Sequence, residues 1–258
     1  MKVRLPRIIP CLLYQNGGLV KTINFINPTY IGDPINAVKI YNEMEADELI
    51  FLDIEASSKN SPPNLNLIKE IANEAFMPVC YGGGIMDIDT ISKIINIGIE
   101  KVSLNTIVLN NPKLIETAAS KFGSQSIVVC IDIKKNIFGE YEVFTNNGKI
   151  KSKTSLIQHL KNINNMGAGE IVVNNIDRDG KMIGFDLELL NFFRPLTNLP
   201  LIALGGAGNL NDLKEAVTIG KVDAVAAGSI FVYYGRLNGI LINYPRRRKL
   251  KQLFENEI

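Results

Sequence analysis

Ala46-Asp47-Glu48-Leu49-Ile50-Phe51-Leu52-Asp53-Ile54 is echoed 122 positions later by Ala168-Gly169-Glu170-Ile171-Val172-Val173-Asn174-Asn175-Ile176-Asp177. Two further pairs extend the echo. Pro78-Val79-Cys80-Tyr81-Gly82-Gly83-Gly84 matches Pro200-Leu201-Ile202-Ala203-Leu204-Gly205-Gly206-Ala207-Gly208, and Ile97-Gly98 matches Ile219-Gly220. A repeat of about half the chain implies two fused copies of one half-domain architecture. Around these copies, short apolar runs alternate with segments of helical period such as Ile91, Ile94, Ile95 and Leu156, Leu160, Ile163. Eight candidate strands emerge: 8–13, 49–54, 78–81, 101–104, 127–131, 170–174, 201–204 and 224–227. Several are apolar on both faces, the pattern of a parallel sheet covered by helices. Eight β–α units with a twofold echo predict an α/β fold, a (βα)8 TIM barrel built from two half-barrel repeats.

The totals fit that reading. A chain of 258 residues, 46% hydrophobic and 21% charged, suffices for one large barrel domain over residues 1–258. Its net charge of +2 gives no indication of nucleic acid. No apolar run approaches membrane length, so no membrane association is expected. Cys11, Cys80 and Cys130 sit in apolar runs and read as reduced core thiols, consistent with a cytoplasmic protein. The basic run Arg246-Arg247-Arg248-Lys249 reads as part of a solvated tail from about residue 245. Two long segments, 14–33 after strand 1 and 134–153 after strand 5, read as loops of the catalytic face. The second carries a hairpin signal at Asn146-Asn147-Gly148.

Chemistry-bearing residues fall at strand ends. Glycine runs follow strands 3, 7 and 8, where backbone N–H groups can approach an anion closely. They predict two phosphate cradles, one from Gly84, Asn105 and Thr106 and one from Gly206, Gly228 and Ser229. A phosphorylated ligand with a phosphate at each end follows. Asp53, Asp132, Asp177 and Asp179 end strands at the barrel mouth, where a carboxylate can exchange protons with substrate. Asp132 is the strongest catalytic candidate. The half-repeat aligns Leu13 with Asp132, so a symmetric acid/base pair is broken on strand 1. Arg7, Glu48, Lys101 and Glu170 precede strands at the opposite end; they form either a charged ring or a layer of stabilising ion pairs. His159, the one histidine, reads as a surface residue. No histidine cluster and no cysteine pair at zinc spacing exist, so neither a metal nor a cofactor is implied.

Ordered motifs carry a family resemblance. They include Arg7-Ile8-Ile9-Pro10-Cys11-Leu12, Gly32-Asp33-Pro34, Lys101-Val102-Ser103-Leu104-Asn105-Thr106, Phe122-Gly123-Ser124-Gln125 and Asp177-Arg178-Asp179-Gly180. From about Arg7 to Gly235 the chain resembles HisF, the cyclase subunit of imidazole glycerol phosphate synthase. The resemblance implies a HisH-like glutaminase partner in a heterodimer, docked on the bottom face. It also implies an ammonia gate at Arg7, Glu48, Lys101 and Glu170, and ligand-binding roles for Lys21, Asp179 and Gly180. The family's strand-1 catalytic Asp falls at Leu13, and Glu55 and Asn174 replace hydroxyl residues.

Tyr30-Ile31-Gly32-Asp33-Pro34-Ile35-Asn36, Tyr234-Gly235-Arg236 and Leu241-Ile242-Asn243-Tyr244-Pro245 resemble a divergent branch associated with glycosyl amidation in bacterial surface polysaccharides. There ammonia is expected to reach an N-acetyl sugar amidotransferase. Three functions stay open at this point: an ammonia-conducting barrel, a working cyclase that uses Asp132 alone or with Glu55, and a non-catalytic scaffold that activates the glutaminase.

Overall fold

The computed structural model describes residues 5–255. Eight parallel strands close on one another: β1 (Arg7–Gln15), β2 (Leu49–Asp53), β3 (Val79–Gly82), β4 (Lys101–Leu104), β5 (Ile127–Lys135), β6 (Glu170–Asn175), β7 (Leu201–Leu204) and β8 (Ala224–Ala227). β8 pairs with β1 and β5 pairs with β6, so the sheet has no open edge and forms the expected (βα)8 barrel. Alternation along each strand sorts the side chains. Ile9, Cys11, Ile50, Cys80, Val128, Cys130 and Val172 fill the interior. The intervening residues, such as Ile8, Leu12, Phe51 and Val129, pack outward against the helices.

The helices that cover the barrel are α1 (Pro34–Glu43), α2 (Leu65–Glu74), α3 (Ile88–Ile97), α4 (Lys113–Phe122), α5 (Leu156–Asn165), α6 (Leu187–Phe193), α7 (Leu210–Thr218) and α8 (Arg247–Phe254), with a short helical segment, Thr106–Asn110, after β4. Their starts are written locally. Asp33, Asn64, Asp87, Ser155 and Asp186 each accept an N–H of the first turn, and Asn209 with Asp212 forms a capping box. Gly98, at φ +119°, ends α3 in the left-handed region.

Three expectations need correction. The segment 14–33 is a strand pair and not a loop. Gly18–Ile23 runs back along β1, and Ile26–Gly32 pairs with it. Its first turn is Asn16-Gly17, with φ +51° and +82°, the two-residue geometry that joins antiparallel strands. The basic run is also not part of a free tail. Arg246 to Lys249 are exposed, but α8 buries Leu250 and Phe254 in the core and supplies the barrel's eighth helix. His159, expected at the surface, is 1% exposed on the inner face of α5 beside Leu156, Leu160 and Ile163. Burial pushes its imidazole down to about 4, and Nδ1 has no partner.

Candidate functional site

The two ends of the lumen differ in chemistry. At the N-terminal ends of the strands, four charges close into a ring. Arg7 Nη1 donates to Glu48 at 2.6 Å and Arg7 Nη2 to Glu170 at 2.7 Å. Lys101 Nζ completes the circuit at 2.9 Å from Glu48 and 3.1 Å from Glu170. The four side chains form a closed ring made of ion pairs. Glu48 is nearly fully buried, and each carboxylate meets both cations, so the charge is balanced inside the ring. Above it the lumen is walled by Ile9, Ile50, Cys80, Val128 and Val172. Cys11, Cys80 and Cys130 are free and buried. Burial holds all three thiols above their ordinary value, Cys11 at about 12, which leaves them protonated and unreactive.

At the C-terminal ends the lumen opens into a cavity of about 120 Å³. Asp132 stands on its wall, 8% exposed. Each of its oxygens takes one amide donor: Oδ1 from Asn174 Nδ2 at 2.9 Å and Oδ2 from Asn105 Nδ2 at 2.8 Å. Burial pushes the Asp132 carboxyl up to about 6, against the opposing pull of those two amides; the nearby Asp179 charge adds to the rise. Asp179 is itself raised by burial, partly offset by Lys21 and by the Thr22 hydroxyl that donates to it at 3.2 Å. Leu13 lines the same cavity from β1, the strand four removed from β5, so an apolar side chain stands opposite the acid.

The glycine runs face the cavity from two sides. Gly82, Gly83, Ser103, Asn105 and Thr106 line one wall; Gly205, Gly206, Ala207, Gly228 and Ser229 line another. Gly84 faces an adjoining depression with Ser57, Ser61 and Asn110. Two of these glycines are dictated by space. Gly83 sits at φ +121° and Gly206 at φ +119°, where a Cβ would collide with the Asp53 and Gly184 carbonyls; the space beside Gly228 is taken up by the Lys21 ammonium. Lys21 therefore lies against the second cradle.

At 134–153, where the sequence reads as a loop, a second strand pair stands: Tyr141–Thr145 runs back along β5 and pairs with Ile150–Lys151, and both strand-pair arms roof the cavity. Asn24, on the first arm, donates from Nδ2 to the Ile176 carbonyl at 2.6 Å, and its N–H reaches the Asp179 carbonyl at 3.0 Å. Gly180 lets that arm pass, since a Cβ there would strike the Thr22 carbonyl. From the second arm, Asn147 donates to the Ile54 carbonyl at 2.5 Å.

Arg7, Glu48, Lys101 and Glu170 thus lie together at one end. Asp132, Asp179, Lys21, Asn105 and both cradles lie together at the other. Asp53 also lines the cavity, though its carboxylate accepts the N–H groups of Glu55 and Ala56, both at 3.0 Å. Asp177 is taken up elsewhere, accepting the Lys135 N–H at 2.9 Å. Glu55 does not line the cavity; Lys59 pairs with it at 2.6 Å and lowers its carboxyl, the wrong direction for a general acid. The Asn174 clamp on Asp132 escaped the sequence reading. Its signal was the period-two phase of β6, which turns Val172 and Asn174 inward together. Among the described residues no group of three potential ligands could hold a metal ion, and no helix is long and apolar enough to cross a membrane.

Comparison with known proteins agrees with this geometry. Residues 7–238 match the family described as histidine biosynthesis protein. A provisionally named imidazole glycerol phosphate synthase subunit HisF of Leptospira interrogans is 50% identical over 250 residues, covering 96% of this chain and 98% of the relative. The similarly named subunit hisF3 of Vibrio vulnificus is 48% identical over 250 residues, 96% of each chain. Subunit hisF2 of Pseudomonas aeruginosa is 49% identical over 244 residues, 95% of this chain and 97% of the relative.

Proposed function

Because this chain belongs to the histidine biosynthesis family, as a HisF-like subunit of imidazole glycerol phosphate synthase type, we propose that it conducts ammonia rather than catalysing cyclisation. In this reading a HisH-like glutaminase docks over the ring of Arg7, Glu48, Lys101 and Glu170. Ammonia enters there and rises through the apolar lumen, where no water or acid can protonate it. It leaves at the Asp132 cavity for use by an amidotransferase acting on an N-acetyl sugar of a surface polysaccharide. The compartment is the cytoplasm.

The observation that carries the reading is the pairing of a complete charged ring with an incomplete acid/base site. Leu13 cannot transfer a proton, and Glu55 is turned to Lys59 and away from the cavity. The numbered names hisF2 and hisF3 of two relatives fit a barrel additional to a histidine-pathway cyclase.

A second reading, an active cyclase, is favoured by one set of observations. Asp132 is held near 6, a value suited to proton transfer, and residues of both glycine runs line the cavity around it. Turnover separates the two. The purified chain is given the ribulosyl intermediate of histidine synthesis with excess ammonium at mildly alkaline pH, and imidazole glycerol phosphate is measured. The conduit reading expects none from the natural chain and a gain of about 10²-fold or more over background from Leu13→Asp, the size of effect a general acid supplies. Clear turnover by the natural chain would refute it.

A further inference from the structure

At the inner end of the cavity the hydrogen-bonding groups are unevenly matched. Asn174 is 5% exposed, its Nδ2 is spent on Asp132 Oδ1, and its Oδ1 has no donor. Turning the amide over would set its carbonyl against the Asp132 carboxylate, so the orientation is fixed by repulsion. Asn105 spends its Nδ2 on the other carboxylate oxygen. Asp132 Oδ2 takes that one amide, and Oδ1 also accepts from the Cys130 thiol at 3.9 Å; both oxygens retain further accepting capacity. Acceptors are in excess at this point, while Leu13 and Leu204 supply apolar wall.

The charge points the same way. Around Asp132 the ionisable groups are Asp179 and Lys21, with Asp53 elsewhere on the cavity wall, so carboxylates outnumber cations. One small group fits that balance: a donor with several N–H bonds, no need for a full coordination shell, and at most one positive charge. A multivalent metal does not fit, since no group of three ligands exists among the described residues.

We propose that the Asn174 carbonyl and the Asp132 carboxylate form a docking point for ammonia, held as an ammonium-sized N–H donor where the lumen meets the cavity. The inference rests on the conduit reading for the source of the ammonia. It explains why Asn174 is long enough to bridge to Asp132 and still present a second polar atom, which a hydroxyl side chain could not do. It also gives Asp132 work in a barrel that lacks the opposing acid.

Thallium(I), close to ammonium in size and visible by anomalous scattering, is the probe. Crystals of the full chain are soaked in thallium(I) acetate at pH 8. The proposal expects an anomalous peak within hydrogen-bonding distance, about 3 Å, of both Asn174 Oδ1 and Asp132. Excess ammonium should remove the peak and equal sodium should not. Occupancy should fall at least tenfold in Asp132→Asn and in Asn174→Leu. No peak at this position in the natural chain, or a peak that ammonium leaves in place, overturns the proposal. So does a peak that survives Asp132→Asn, the variant expected to fold well. The glutaminase plays no part in this measurement. A failed soak leaves the conduit reading intact, and cyclase turnover would refute the conduit reading without moving the peak.

Discussion

Replacing Asp132 by asparagine should stabilise the folded barrel at pH 8. The carboxyl is raised from an ordinary 3.8 to about 6, chiefly by burial. At about 1.4 kcal/mol per pH unit, keeping it ionised in the folded state costs about 3 kcal/mol once the pH exceeds 6. The sign follows from proton counting. Between 3.8 and 6 the folded chain binds more protons than the unfolded one, so this group's contribution becomes less favourable as pH rises. Asparagine removes the charge and keeps the volume.

Its amide would face two donors, Asn105 and Asn174, with one acceptor. That mismatch resolves if Asn174 turns over and presents its now idle carbonyl to the new N–H. The expected net gain is therefore roughly 1–3 kcal/mol, part of the penalty being returned as weaker neutral hydrogen bonds. Urea unfolding at pH 8 measures it, and repeating the series at pH 5 provides the control. There the natural chain is mostly protonated at Asp132, and the advantage should shrink to about half. An asparagine variant less stable than the natural chain at pH 8, or a difference that does not change with pH, would refute the reasoning. A gain would show that Asp132 is retained at the expense of the fold, as functional groups commonly are.

Other perturbations follow from the same geometry. His159, held near 4 against an ordinary 6.5, should cost stability as pH falls through 6.5 toward 4, by about 3 kcal/mol at the acid end, and His159→Leu should flatten that limb of the pH–stability profile. Glu48→Gln should destabilise by roughly 3–5 kcal/mol in denaturant titration, because it leaves Arg7 and Lys101 sharing the single carboxylate of Glu170. Phe254→Ala should cost about 3–5 kcal/mol, whereas a free tail would lose nothing measurable.

How far the sequence could be read depended on the range of the forces involved. The barrel strands were legible because each is a short apolar run buried on both faces, and the half-repeat fixed their number. The first arm was missed because Ile26 to Tyr30 are exposed and carry no alternation of burial. Its signal was nonetheless present in Asn16-Gly17, a dipeptide that favours left-handed backbone at two successive residues. The far turn, Asn24-Phe25, holds both residues at positive φ without glycine, so it left no mark. α8 was hidden under its own charge, although Leu250, Leu253 and Phe254 have helical spacing. His159 lies four residues before Ile163 and three after Leu156, on the buried stripe; its polarity outweighed its phase. The bridge from Asn174 and Asn105 to Asp132 joins three different strand ends, a relation that only the closed barrel creates.

The charged ring has a consequence for how this chain can change. Arg7, Glu48 and Lys101 belong to the first half-repeat and Glu170 to the second. Without Glu170 the first half presents two cations to one carboxylate. The halves are therefore not exchangeable modules. A second half grafted from another barrel would be accepted only if it carried an acid at this one place, so a single side chain sets the compatibility of two domains' worth of ancestry.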